Sequence, residues 1–265
     1  MQIAIPHIPE ISTDTGSILT TVFSIMRSSS EEDHAEWHFT EKEYHPLLLA
    51  LLAIYKRTSN LNITTNKNID IYISELGLQD TEQSNSVVNE LIQRAEICPH
   101  FNRIKTGIKY FIDEIVCNMQ QHSLANTGHI HLSYNIANNT LNICLADNGI
   151  SILGSYVNTG KHLEDIGGDA SVAITYAKRG YSTKNLPDAE NRGFGLSTTS
   201  QIVVDGLKGS YYILSGNAFL CATPKNEERV FEFPEEIEWK GTLIMASIPM
   251  ENPHNNFNLY SFLEG

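Results

Sequence analysis

Apolar residues recur at helical spacing over residues 105–123, where Ile108, Phe111, Ile112, Ile115, Val116 and Met119 share one stripe. Two alternating runs follow, Ile130-Leu132-Tyr134 and Leu141-Ile143-Leu145, predicting strands joined as a hairpin near Asn138-Asn139. His129 and His131 fall between the apolar positions of the first run and read as the polar face of that strand. Upstream, residues 36–39 predict a short strand, 46–57 a helix opened by proline at its first turn, and 69–73 another alternating strand. A polar run at 79–86 is the expected boundary between a small α/β unit, residues 1–85, and a larger unit, residues 86–265. A helical region from Val87 is expected to break at Cys98-Pro99, because the residue before a proline disfavours the helical conformation. Residues 148–192 read as a polar, glycine-bearing stretch with a helical pattern only at 170–177. A helix is predicted from Gly195 to Leu207, then closing strands within 211–221, 229–233 and 241–248. This order predicts an α+β sandwich with helices on one face of a mixed sheet, preceded by the small α/β unit.

Charge narrows the range of functions. The 265 residues carry 18 basic and 31 acidic side chains, a net charge of −13, which argues against general nucleic-acid binding and against docking on anionic membranes. A single bound nucleotide is compatible with that balance, because backbone amides and one metal can hold its phosphates. Residues 1–11 lack a basic segment followed by a long apolar one, and the apolar run at 46–55 is shorter than the ~20 residues that span a bilayer, so a cytoplasmic protein is expected. Cys98, Cys117, Cys144 and Cys221 form no CxxC pair and read as reduced thiols. Six glutamates, Glu227, Glu228, Glu232, Glu235, Glu236 and Glu238, read as a solvated face or the dock of a basic partner.

Three short patterns carry candidate chemistry. Glu114, Asn118 and His122 are spaced by four, so a helix over 105–123 lines them up beside its apolar stripe. There they are either a solvated face or groups needing hydrogen bonds or a metal. Asp147 ends a predicted strand ahead of Asn148-Gly149, which reads as a turn or as a pocket carboxylate accepting from an exocyclic amine such as adenine's. Residues 191–197, Asn-Arg-Gly-Phe-Gly-Leu-Ser, run into a helix, where glycines and unpaired amides suit either a tight turn or a phosphate chain. They form neither a P-loop nor a Rossmann fingerprint.

In this order the patterns resemble the GHKL (Bergerat-fold) ATPase superfamily, which includes gyrase B, MutL, sensor histidine kinases and anti-sigma-factor kinases. Glu114 to Asn118 resemble its N-box, Asp147-Asn148-Gly149 its G1 box and Gly193-Phe194-Gly195-Leu196 its G2 box; Gly180 to Lys184 resemble the GxSTK segment of many family lids, and Gly241-Thr242-Leu243 the closing Gly-Thr of histidine-kinase domains. The resemblance covers about residues 105–250. It implies a mostly antiparallel Bergerat sandwich with ATP and Mg²⁺ as ligands. Asn118 would hold the metal, Glu114 would act as general base, Asp147 would read adenine, and Gly149 would leave room for the base. Gly193, Phe194, Gly195 and Leu196 would cradle the phosphates, Ser182, Thr183 and Lys184 would sit in the lid, Thr242 would join the site, and His122 could orient Glu114.

Two positions depart from the family pattern. Ser151 stands where the second glycine of D-x-G-x-G belongs, and Asn191 where a three-glycine G2 box begins. The segment from Trp37 to Leu52 more faintly resembles the strand–loop–helix of STAS-like domains, without Ser or Thr at the helix start, and so reads as an interaction module rather than a self-substrate; the alternative is a small α/β extension packing on the ATPase sheet. No transducer domain and no hairpin bearing a phosphoacceptor histidine is expected. The resemblance therefore implies a nucleotide-gated ATPase in a bacterial regulatory or defence-type assembly, with a protein partner, and with homodimerisation as in much of the superfamily. The alternatives are a Ser/Thr protein kinase of the anti-sigma type acting on a separate partner, and a nucleotide-binding module without turnover.

Overall fold

Short alternating strands separated by long apolar helices give the chain a parallel β-α-β-α-β start. The structure, a computed structural model, describes residues 1–31, 33–183, 195–234, 237–251 and 257–263. β1 (Gln2–Ala4), β2 (His34–His38) and β3 (Asn62–Thr65) form a three-stranded sheet in the order β1-β2-β3, both pairs parallel, connected by α1 (Thr15–Ser30) and α2 (Pro46–Thr58). Asp14 caps α1, accepting from the Ser17 amide at 3.1 Å. In α2 the residues from Leu47 to Tyr55 are all buried. A helix apolar all round has to be covered on every side, and α2 is.

Residues 69–73 do not form the expected strand: Asp70–Tyr72 is a 3₁₀ turn. Lys56 and Arg57, at the end of α2, each reach the Asp70 carboxylate at 3.0 Å and tie it to that helix instead of a sheet edge. β4 (Ser74–Gly77) follows and pairs with residues 127–130, so the chain passes to a second sheet ahead of the polar run at 79–86. That run contains the first turn of α3 (Thr81–Ala95), capped by Asp80. After the break at Pro99 comes α4 (Phe101–His122), whose apolar stripe is buried as its spacing predicts.

β5 (Thr127–Asn135) and β6 (Thr140–Asp147) form the predicted hairpin. The polar stretch contains two helices, α5 (Ile152–Thr159) and α6 (Leu163–Ile166), ahead of α7 (Ala170–Lys178), where the helical pattern at 170–177 stands. Their start and stop signals outweigh their polarity. Ser151 and Asp169 cap α5 and α7, while Gly160 and Gly167 end α5 and α6 at positive φ. The helix predicted from Gly195 is α8 (Gly195–Gln201), continuing as a π-helical turn over Ile202–Gly206. The closing strands are β7 (Ser210–Gly216), β8 (Ala218–Thr223), β9 (Asn226–Glu232) and β10 (Trp239–Pro249).

The second sheet has seven strands in the order β4-β5-β6-β10-β7-β8-β9, and every neighbouring pair is antiparallel, not mixed. One face packs against α3, α4 and the π-helical turn: Leu141, Ile143 and Leu145 of β6 join Phe111, Ile115 and Val203 in one core. Helices were expected on that face alone. The other face is also covered, because Cys144, Ala146, Leu214, Leu243 and Met245 share a core with α1, α2 and β2. Trp37, Tyr55 and Trp239 form an aromatic run through that layer, with ring centroids 6.2 and 5.9 Å apart.

The first unit therefore lies as a layer on the back of the large sheet. His129 and His131 are consequently not a solvated strand face, being 6% and 5% exposed. His131 Nδ1 donates to the Tyr72 carbonyl at 2.6 Å, leaving Nε2 to accept from Ser133 at 2.7 Å. The start of α2 is also covered: His45, 1% exposed, caps it through Nδ1 at 3.2 Å from the Leu47 amide. Of the acidic cluster, Glu228 pairs with Lys178 of α7. No helix among the described residues is long and apolar enough to cross a membrane.

Candidate functional site

The stripe of α4 next to its apolar face opens onto a cleft with about 890 Å³ of space not filled by protein, solvent included. Glu114, Asn118 and His122 line it together with Asp147, Ser182, Thr183, Gly195, Leu196 and Thr242. Residues from α4, the end of β6, the start of α8 and β10 thus meet around one space. Lys184, Gly193 and Phe194, also expected at the site, lie outside the described residues, as do Asn191 and Arg192.

Asp147 is 2% exposed at the end of β6. Its Oδ1 accepts from the Gly149 amide at 2.9 Å, and the Thr242 amide also donates to the carboxyl. Burial raises its pKa to about 7 against the pull of those two amides. Two glycines make this geometry accessible. A Cβ on Gly241, whose φ is +95°, would lie 2.4 Å from the Asp147 carbonyl oxygen and 2.6 Å from Oδ1, so only glycine lets β10 pass here. A Cβ on Gly149 would lie 1.9 Å from the Ser123 carbonyl oxygen, which also accepts from the Ile150 amide at 2.7 Å. Gly149 does not line the cleft: the room left by its missing side chain is taken by the end of α4.

Glu114 is held differently. Its Oε2 is buried and has no hydrogen-bond partner among the described residues. Gly195 packs against it, and a Cβ there would stand 3.1 Å from that oxygen. A buried carboxylate oxygen without a partner is costly unless something else satisfies it. One turn on, Asn118 lines the same cleft. Among the described residues no group of three or more His, Cys, Asp and Glu side chains is placed to hold a metal, so a cation here would take Asn118 and oxygen atoms of its ligand.

The third residue of the stripe, His122, has Nδ1 2.8 Å from Thr183 Oγ1, and Thr183 Oγ1 lies 2.9 Å from Ser155 Oγ. Ser151, at the departure from D-x-G-x-G, caps α5 by accepting from the Gly154 amide at 3.1 Å. Sequence reasoning overlooked Ser155, Tyr156 and Ser215. Tyr156 donates to the Tyr181 carbonyl, and Ser215 Oγ accepts from the Ile152 amide at 2.8 Å while lying 2.9 Å from Thr242 Oγ1. In the sequence α5 is marked by the Ser151 cap, followed by two apolar residues, and by the closing Gly160. The cleft therefore is lined by the buried carboxyl of Asp147 and by Glu114, whose buried Oε2 has no hydrogen-bond partner among the described residues, with Asn118 one helical turn on. The chain matches no family model, no curated protein and no solved structure.

Proposed function

We propose that this cleft binds ATP with Mg²⁺ and hydrolyses it, as a Bergerat-type (GHKL) nucleotide-gated switch. The buried Glu114 oxygen, one helical turn from Asn118 and without a hydrogen-bond partner among the described residues, carries the reading, because it marks a place where a carboxylate is held ready for a ligand. The antiparallel sheet with α4 and α8 on one face is compatible with that fold. In this reading Asp147 accepts a hydrogen bond from the exocyclic amine of adenine. Asn118 holds Mg²⁺, which when bound neutralises phosphate charge. Glu114 takes the proton of the water that attacks the terminal phosphoryl group. The start of α2 holds the buried His45 and no Ser or Thr, so in the kinase alternative the phosphoacceptor belongs to a separate partner.

Incubation with ATP labelled in its γ-phosphate, with Mg²⁺, tests the reading. Hydrolysis releases labelled phosphate; label on an added protein would favour the kinase alternative; binding without either product would leave a module without turnover. Glu114→Ala is expected to lower phosphate release by about 100-fold or more while nucleotide still binds. Unchanged release in that variant removes Glu114 from the base role.

A further inference from the structure

Residues 181–183 form one wall of the cleft and are held from two sides. Tyr156 and Ser155, both on α5, tie them through the Tyr181 carbonyl and Thr183 Oγ1. His122 ties them to α4, on the same stripe as Glu114 and Asn118. Thr183 is 8% exposed and Ser155 7%, so these bonds form largely away from water. A hydroxyl has one hydrogen and two lone pairs. Thr183 can donate to His122 Nδ1 while accepting from Ser155, or accept from His122 Nδ1–H while donating to Ser155. The bridge closes with either histidine tautomer, and what it requires at position 183 is a hydroxyl. A methyl of the same shape would leave His122 Nδ1 and Ser155 Oγ without this partner.

The bridge is also connected to Asp147. α5 is fixed to β7 by the Ile152–Ser215 bond, and Ser215 meets Thr242, whose amide donates to Asp147. We infer that His122, Thr183 and Ser155 are positioning residues, which set the spacing between the 181–183 wall and the face of α4 that presents Glu114 and Asn118. The inference rests on the reading of the cleft as a nucleotide hydrolysis site. It moves Thr183 from a direct nucleotide contact to a residue acting through α4.

The test compares the intact chain with Thr183→Val, Thr183→Ser, His122→Ala and the His122→Ala/Thr183→Val double variant. ATP turnover, ADP affinity and amide hydrogen exchange are measured for each. Thr183→Val should lower kcat about fivefold to tenfold, the scale of one net hydrogen bond, and should change ADP affinity less than that. Thr183→Ser should restore kcat, and the double variant should be no worse than the weaker single one, as for residues acting through one bond. Wild-type kcat in Thr183→Val, or additive losses in the double variant, overturns the inference. If the unaltered chain binds no nucleotide, the hydrolysis reading fails by itself, and exchange over 181–183 still decides the bridge. Faster exchange in Thr183→Val, restored by Thr183→Ser, supports it; unchanged exchange overturns it.

Discussion

Asp147 and Glu114 line one cleft and are held by opposite means. Asp147 has two amide donors but little water, and burial wins, raising its pKa to about 7. In the free protein its contribution to stability is fully present below the unfolded value near 4 and is lost as pH rises through about 7. A donor such as the adenine amine favours the ionised form, so nucleotide binding should release a proton near pH 7 and tighten as pH rises through that value. Calorimetric titration in two buffers of different ionisation heat checks this; binding with no proton release would contradict it. The pairing of Glu114 with Asn118 was legible as a spacing of four, and Asp147 as a strand-end carboxylate. The Thr183 bridge was not, because its three members are far apart in sequence and each is an ordinary polar residue.

At the scale of elements, legibility follows periodicity. α4 and the β5–β6 hairpin are long, repeat their apolar period several times, and stand where the pattern put them. α5, α6 and α7 are short, so caps and glycines define them more than any apolar stripe. α1, with Thr and Ser at many positions, was not read at all, although Ile18, Leu19, Val22, Ile25 and Met26 bury one face. The junction of α4 with the loop after β6 depends on Gly149. Gly149→Ala would force its Cβ against backbone, not against a flexible side chain. It is expected to cost about 3 kcal/mol of unfolding free energy in urea titration; wild-type stability in that variant would contradict the packing described.

At the scale of the whole molecule, the site's sheet is covered from behind by the N-terminal layer, the arrangement expected if that segment is a small α/β extension packing on the sheet. The alternation of Leu141, Ile143 and Leu145 along β6 was legible; that Ala146 turns to the core shared with α2 is what the structure adds. The joint contains buried imidazoles. His45, His129 and His131 all have lowered pKa values, chiefly through burial, His131 reaching about 4. Glu75, Arg57 and Asp70 face His129, and His45 adds repulsion at His131.

For a depressed histidine the contribution to stability is present above the unfolded value near 6.5 and is lost as pH falls towards about 4, about 3 kcal/mol for His131. Asp147 acts in the opposite sense over the same range, so the measurement belongs in the Asp147→Asn background. There the thermal midpoint should drop as pH is lowered from 6.5 to about 4, and a flat profile would contradict the buried joint.

The central claim, that the cleft is a nucleotide site read by Asp147, is tested most directly by equilibrium binding of ATP with Mg²⁺ to the intact chain and to Asp147→Asn. Saturable binding, weakened about tenfold or more by the substitution, is the predicted result. No saturable binding, or equal affinity in the two proteins, would contradict it.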